Sequence, residues 1–180
     1  MIIGLSGYAQ SGKDTVANIL VEKYGFRRIA FADAIRTLLY DMDPLVPHEA
    51  NSVHYRLQDL VDTYGWDKAK VDYPEIRRLL QDLGVGGRNL FGDMFWIHHA
   101  LANIEQYEDV VISDVRFTNE AEWVQKFGQI WRIKRLNTEA VNSHVSESDM
   151  DDYPVDQVFI NNGTIEDLEI LIGARMRALV

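Results

Sequence analysis

The chain predicts an α/β fold of three layers, helices on both faces of a central, mostly parallel five-stranded sheet. Three observations predict it. Five short strand-like runs, "MIIGLS", "FRRIAF", "DVVISD", "QIWRIKR" and "QVFI", are separated by stretches of helical period. Strands alternating with helices give βαβ units, whose crossovers cover both faces of a parallel sheet. A length of 180 residues, 47% hydrophobic and 26% charged, suits one domain with a sizeable core.

The elements follow in order. "MIIGLS" reads as a buried strand ending at Gly7. Residues 12–24 carry Val16, Ala17, Ile19, Leu20 and Val21 at helical spacing and stop at Gly25. "FRRIAF" is a second strand, and "ADAIRTLLYDM" a helix that ends before Pro44. Residues 44–73 are polar, contain Pro47, Gly65 and Trp66, and read as a partly helical insertion within a single domain of residues 1–180. "PEIRRLLQDLG" opens on Pro and closes on Gly, as helices do. The glycines that follow then form a loop, and "FGDMFWIHHALANIEQY" a further helix. "DVVISD" is a buried β-branched strand, "NEAEWVQKFG" a helix, "QIWRIKR" a strand, "QVFI" the last strand and "TIEDLEILIGARMRALV" the closing helix. Residues 136–152 lack either period and read as a lid-like loop.

Bulk charge narrows the functions. A net charge of -10 argues against a broad basic surface, so neither nucleic acid nor a membrane is an expected partner. With no Cys, disulfides and thiolate metal sites are excluded. No apolar run approaches the ~18 residues that span a bilayer, and the N-terminus lacks a basic signal-peptide region. The expected location is the cytoplasm.

The chemistry starts at "GYAQSGKDT". Residues 7–13 match G-x-x-x-x-G-K, a loop whose amides, with the following helix N-terminus, point positive charge at phosphates. Gln10, Ser11, Gly12 and Lys13 would hold ATP, Lys13 reaching its β- and γ-phosphates. Asp14 stands where a metal-binding hydroxyl is usual. A carboxylate is a hard Mg²⁺ ligand, and it is also an acid favoured in a first helical turn. Thr15 adds an amide and a hydroxyl for the α- or β-phosphate.

Parallel α/β sheets bind ligands beyond the carboxyl ends of their strands. Residues 7–13, Asp33, Asp114 and Arg135 all follow predicted strands and should gather along one edge. Asp33 either caps a helix or accepts from a substrate hydroxyl, with Arg36 one turn on for a phosphate. Gln81 carries donor and acceptor for a base edge, and Arg88 a bidentate fork for phosphate. Trp96 reads as core or as a stacking platform. Asp114 resembles the acidic position near Mg²⁺ in phosphate-loop proteins or else caps the following helix, and Arg116 would face the phosphates or a substrate. Arg132, Lys134 and Arg135 lead into the polar loop, with Arg135 at its root, as in phosphotransferase lids. His98, His99 and "SHVSESD" lack the spacing of a zinc site or a hydrolase triad.

"SGYAQSGKDT", "FADAIR", "RRLLQDLG…GR", "DMFW", "ISDVRFTNEAE" and "HVSES…NNGTIEDL" resemble, in order and from end to end, the bacteriophage deoxynucleoside monophosphate kinases. In that family an Asp normally follows the loop Lys. The resemblance implies a P-loop kinase fold, transfer of the ATP γ-phosphoryl group to a deoxynucleoside monophosphate, Mg²⁺, action in a host cytoplasm, and a homodimer. It makes Lys13, Arg116 and Arg135 catalytic, and Asp14 and Asp114 metal-binding. Ala9, Asp33, Arg36, Gln81, Arg88, Trp96, Asp114 and Arg116 fall to the acceptor. Two rivals are a P-loop kinase of another phosphorylated acceptor, of dephospho-coenzyme A or phosphomevalonate type, and a nucleotide-binding module without turnover. The density of Arg outside the loop argues against the module, which needs no second phosphate site.

Overall fold

The computed structural model describes residues 1–48, 53–102, 104, 108–136, 138 and 148–179. Their elements run β1 (Ile2–Ser6), α1 (Lys13–Tyr24), β2 (Arg27–Ile29), α2 (Ala32–Met42), β3 (Leu45–Pro47), β4 (His54–Arg56), α3 (Leu57–Asp72) and α4 (Pro74–Phe91). Then come α5 (Phe95–Leu101), β5 (Val110–Ile112), α6 (Thr118–Gln125), β6 (Gly128–Lys134), β7 (Gln157–Ile160) and α7 (Ile165–Arg177). The chain divides into two compact units, Met1–Phe31 with Ala100–Val180, and Ala32–His99.

The first unit holds, among the described residues, a five-stranded sheet in the order β2-β5-β1-β6-β7, every pairing parallel. All five predicted strands are present. Successive side chains of a strand point to opposite faces, and β1 shows why "MIIGLS" is apolar without alternation. Ile3 and Leu5, both 0% exposed, join a core with Val16 and Leu20 of α1, Trp131 and Ile133 of β6, and Leu168 and Ile172 of α7. Gly4 faces the other way, where a Cβ would lie 2.7 Å from Ile130 and 3.1 Å from Val124 of α6. The sheet is therefore sandwiched: α1 and α7 on one face, α6 on the other. Each buried Ile or Leu contributes about 1.5–3 kcal/mol. At the start of α7, Thr164 Oγ1 accepts from the Asp167 amide at 3.2 Å while the Thr164 amide donates to Asp167 Oδ2 at 2.9 Å. This reciprocal cap explains how "GTIED" starts a helix.

The second unit is built on α2, α3 and α4 with an antiparallel β3–β4 hairpin. Leu39, Val46, Leu57, Leu60 and Ile76 form its core. The insertion at 44–73 thus contains a hairpin as well as a helix, and that helix bends at Gly65 (φ 72°, ψ 161°). The glycine-rich loop expected after "PEIRRLLQDLG" is corrected: α4 continues unbroken through Gly84, Gly86 and Gly87 to Phe91. Packing overrides the poor helix propensity of these glycines. A Cβ on Gly87 would lie 2.5 Å from the Trp96 ring, and Trp96 Nε1 donates to the Gly84 carbonyl at 2.8 Å. The close approach inferred from the glycines is real, but an indole makes it. The helix ends at Gly92 (φ 96°) instead, so the next one starts only at Phe95. Of its predicted C-terminal part, residues 103 and 105–107 lie outside the described residues.

Candidate active site

The G-x-x-x-x-G-K loop joins β1 to α1. Its winding uses Gly7 (φ 135°), Gln10 (φ 62°) and Gly12 (φ 103°). At Gly12 a Cβ would meet Asn161 Nδ2 at 2.2 Å. That same amide donates to the Ser11 carbonyl at 2.9 Å, and the Asn161 N–H donates to the Lys134 carbonyl at 2.7 Å. Asn161, from the "NNG" turn, therefore ties the loop to the end of β6. Ser11 is 1% exposed, its side chain buried. Lys13 Nζ donates to the carbonyls of Gly7 at 2.6 Å and Tyr8 at 2.8 Å, lying across the loop it belongs to.

Asp114 and Arg135 follow β5 and β6, the strands flanking β1. All three ends share one edge of the sheet, as the parallel order requires. A cleft of about 320 Å³ lies there, lined by Tyr8 and Ala9 of the loop, Arg116, Lys134, Arg135 and Asp151 among others. Arg116 is set by the start of α6. Buried Glu120, 2% exposed, accepts the N–H groups of Arg116 at 2.8 Å and Phe117 at 3.1 Å. Asp149 Oδ2 accepts that of Thr118 at 2.7 Å. Arg132 is taken up by the scaffold: its guanidinium donates to the carbonyls of Asp151 at 2.9 Å, Tyr153 at 2.9 Å and Met150. Arg135 is exposed, and its carbonyl accepts Thr138 Oγ1 at 2.7 Å. Of the lid-like segment at 136–152, residues 137 and 139–147 lie outside the described residues.

The acids have partners that motif reading missed. Asp14 is exposed in the first turn of α1, where Arg28 Nη2 donates to its Oδ1. Asp114 Oδ1 accepts the Phe31 amide at 2.7 Å. Thr15 is half-buried in α1. Asp33, Arg36, Gln81, Arg88 and Trp96 belong to the second unit. There Asp33 lies inside the first turn of α2 and pairs with Arg36 at 3.3 Å. Gln81 and Arg88, seven positions apart on α4, share a face. Trp96 is 4% exposed and packed. Motif reading also missed Tyr8, whose hydroxyl donates to Asp151 Oδ1 at 2.8 Å, and Asn161. Neither contact spans a distance that local spacing can signal.

A family model described as deoxynucleotide monophosphate kinase matches residues 44–172. A putative deoxynucleotide monophosphate kinase of Acanthamoeba polyphaga mimivirus is 29% identical over 176 residues, 93% of this chain and 91% of that protein. The deoxynucleotide monophosphate kinase of Escherichia phage RB69 is 31% identical over 100 residues, 52% of this chain and 41% of that protein. Among solved structures, TT1252 from Thermus thermophilus superposes with a TM-score of 0.46 at 18% identity, covering 100% of this chain and 98% of that one. The family match begins beyond the loop at 7–13, so the loop and the match are independent observations. With more than half of its length matched, the chain belongs to the deoxynucleotide monophosphate kinase family.

Proposed function

We propose that the chain transfers the γ-phosphoryl group of ATP to the 5′-phosphate of a deoxynucleoside monophosphate across the edge formed by β1, β5 and β6. The observation that carries this reading is the anion loop entering α1 beside a cleft lined by Arg116, Lys134 and Arg135. An acceptor phosphate oxygen attacks the γ-phosphorus; that O–P bond forms as the bond to the β-phosphate oxygen breaks, and ADP leaves. The attacking oxygen is already ionised, so no general base is required. What remains is to position two anions and to neutralise charge. Loop amides and Lys13 hold the ATP phosphates, Arg116 the acceptor phosphate, and Arg135 the transferring group.

Mg²⁺ fits the donor set. Among the described residues no three His, Asp or Glu side chains gather into a metal centre. One or two carboxylates are what this ion uses when nucleotide phosphates and water complete its shell. Asp14, its side chain 74% exposed at the head of α1, and Asp114 would hold it, and when bound it neutralises phosphate charge. The resemblance in sequence extends the reading to a host cytoplasm and a homodimer.

Arg116→Ala tests the acceptor assignment. Deoxynucleotide affinity is expected to fall by about 2 kcal/mol or more, with ATP affinity nearly unchanged. Calorimetric titration of each nucleotide measures both; equal losses would move Arg116 to the ATP side or to the scaffold.

A further inference from the structure

Arg28 appears in no motif, yet its guanidinium joins three elements. Nη2 donates to Asp14 Oδ1 in the first turn of α1, and Nε donates to Ser113 Oγ at 3.2 Å. Ser113, 4% exposed, closes β5, and its own N–H donates to the Ile29 carbonyl of the neighbouring strand at 3.0 Å. The Ser113 hydroxyl donates to that same carbonyl at 3.4 Å and accepts from Nε, while Nη2 of the same guanidinium faces Asp14. The side chains are 37% and 74% exposed, so the pair remains within reach of an arriving ligand.

We propose that Arg28 is a positioning residue for Asp14 that sets how strongly nucleotide binding depends on Mg²⁺. This rests on the metal role of Asp14 given above. Paired with Arg28, the Asp14 carboxylate presents little net charge to an incoming triphosphate. Metal-free ATP therefore meets less repulsion than a bare carboxylate would impose. An ion arriving on the phosphates must in turn draw the carboxylate away from the guanidinium. Both effects narrow the difference between metal-loaded and metal-free nucleotide. Without Arg28 the bare carboxylate repels ATP alone and attracts the metal complex, so the difference widens.

The experiment is titration of the purified protein with a non-hydrolysable ATP analogue, once with Mg²⁺ and once with EDTA, by calorimetry. The readout is the ratio of the two dissociation constants. For Arg28→Gln the ratio is expected to widen about fivefold, the scale of one exposed ion pair. Asp14→Asn is expected to narrow it, and adding Arg28→Gln to Asp14→Asn to change it no further. Arg28→Lys keeps the charge and is expected to hold the ratio near that of the unaltered protein, which separates the effect from any loss of fold. An unchanged ratio in Arg28→Gln would overturn the proposal. So would equal widening in the Asp14→Asn background, or a Lys variant that behaves like Gln. An unchanged ratio in Asp14→Asn itself would remove the metal role, and the proposal with it, a failure that single variant identifies.

Discussion

Lys13→Ala is expected to lower kcat by at least about a hundredfold, close to 2.7 kcal/mol of transition-state stabilisation. The ammonium is held by the carbonyls of Gly7 and Tyr8, 2.6 and 2.8 Å away, within the loop at 7–13. Phosphates offer it stronger, charged acceptors than those carbonyls. Because charge shifts during transfer, losing the cation weakens the transition state more than the bound ATP. Single-turnover kinetics with circular dichroism on the same sample separate chemistry from folding. A folded variant within tenfold of the normal rate would detach the loop from the reacting phosphate.

Gly7→Ala is expected to destabilise the fold by about 3–5 kcal/mol, among the larger effects of single substitutions. Two costs add. At φ 135° an L-residue is strained whatever the space. The new Cβ would also lie 2.2 Å from the Ile133 carbonyl oxygen, a backbone atom of β6 that cannot swing aside. Gly25→Ala supplies the comparison: φ is 72° there, and nothing lies within 4 Å of the added carbon. That variant should cost about 1 kcal/mol, the left-handed penalty alone. Thermal melts of both would show it, with Tm falling by roughly 2–4 °C for each kcal/mol in a chain of this size. Equal losses at the two positions would mean that the contact with β6 carries nothing.

The strands were legible because buried parallel strands concentrate β-branched residues into runs such as "VVI", and the helices between them keep an apolar period. Sequence patterning also placed α2 on residues 32–42. It failed where tertiary contacts decide. The glycines of α4 look like a loop until Trp96 is seen against Gly87. β3 and β4 carry no buried apolar run: Leu45, Pro47, His54 and Arg56 are exposed and only Val46 is buried. In the site, strand ends were foreseeable from the parallel order, and with them the shared edge of residues 7–13, Asp114 and Arg135; Asp33, expected on that edge as well, falls in the second unit. Pairings were not. Asp14 with Arg28, Tyr8 with Asp151 and Ser11 with Asn161 depend on which strands lie side by side, and no local spacing encodes that.

The most direct measurement is ADP formation from ATP with each deoxynucleoside monophosphate supplied in turn, beside ribonucleotides, dephospho-coenzyme A and phosphomevalonate, with the phosphorylated product identified by chromatography. The expected result is ADP released in step with a deoxynucleoside diphosphate for at least one base, and no more than background release without an acceptor. ATP that binds yet yields no ADP with any deoxynucleotide, or yields it only with one of the other acceptors, would contradict the assignment.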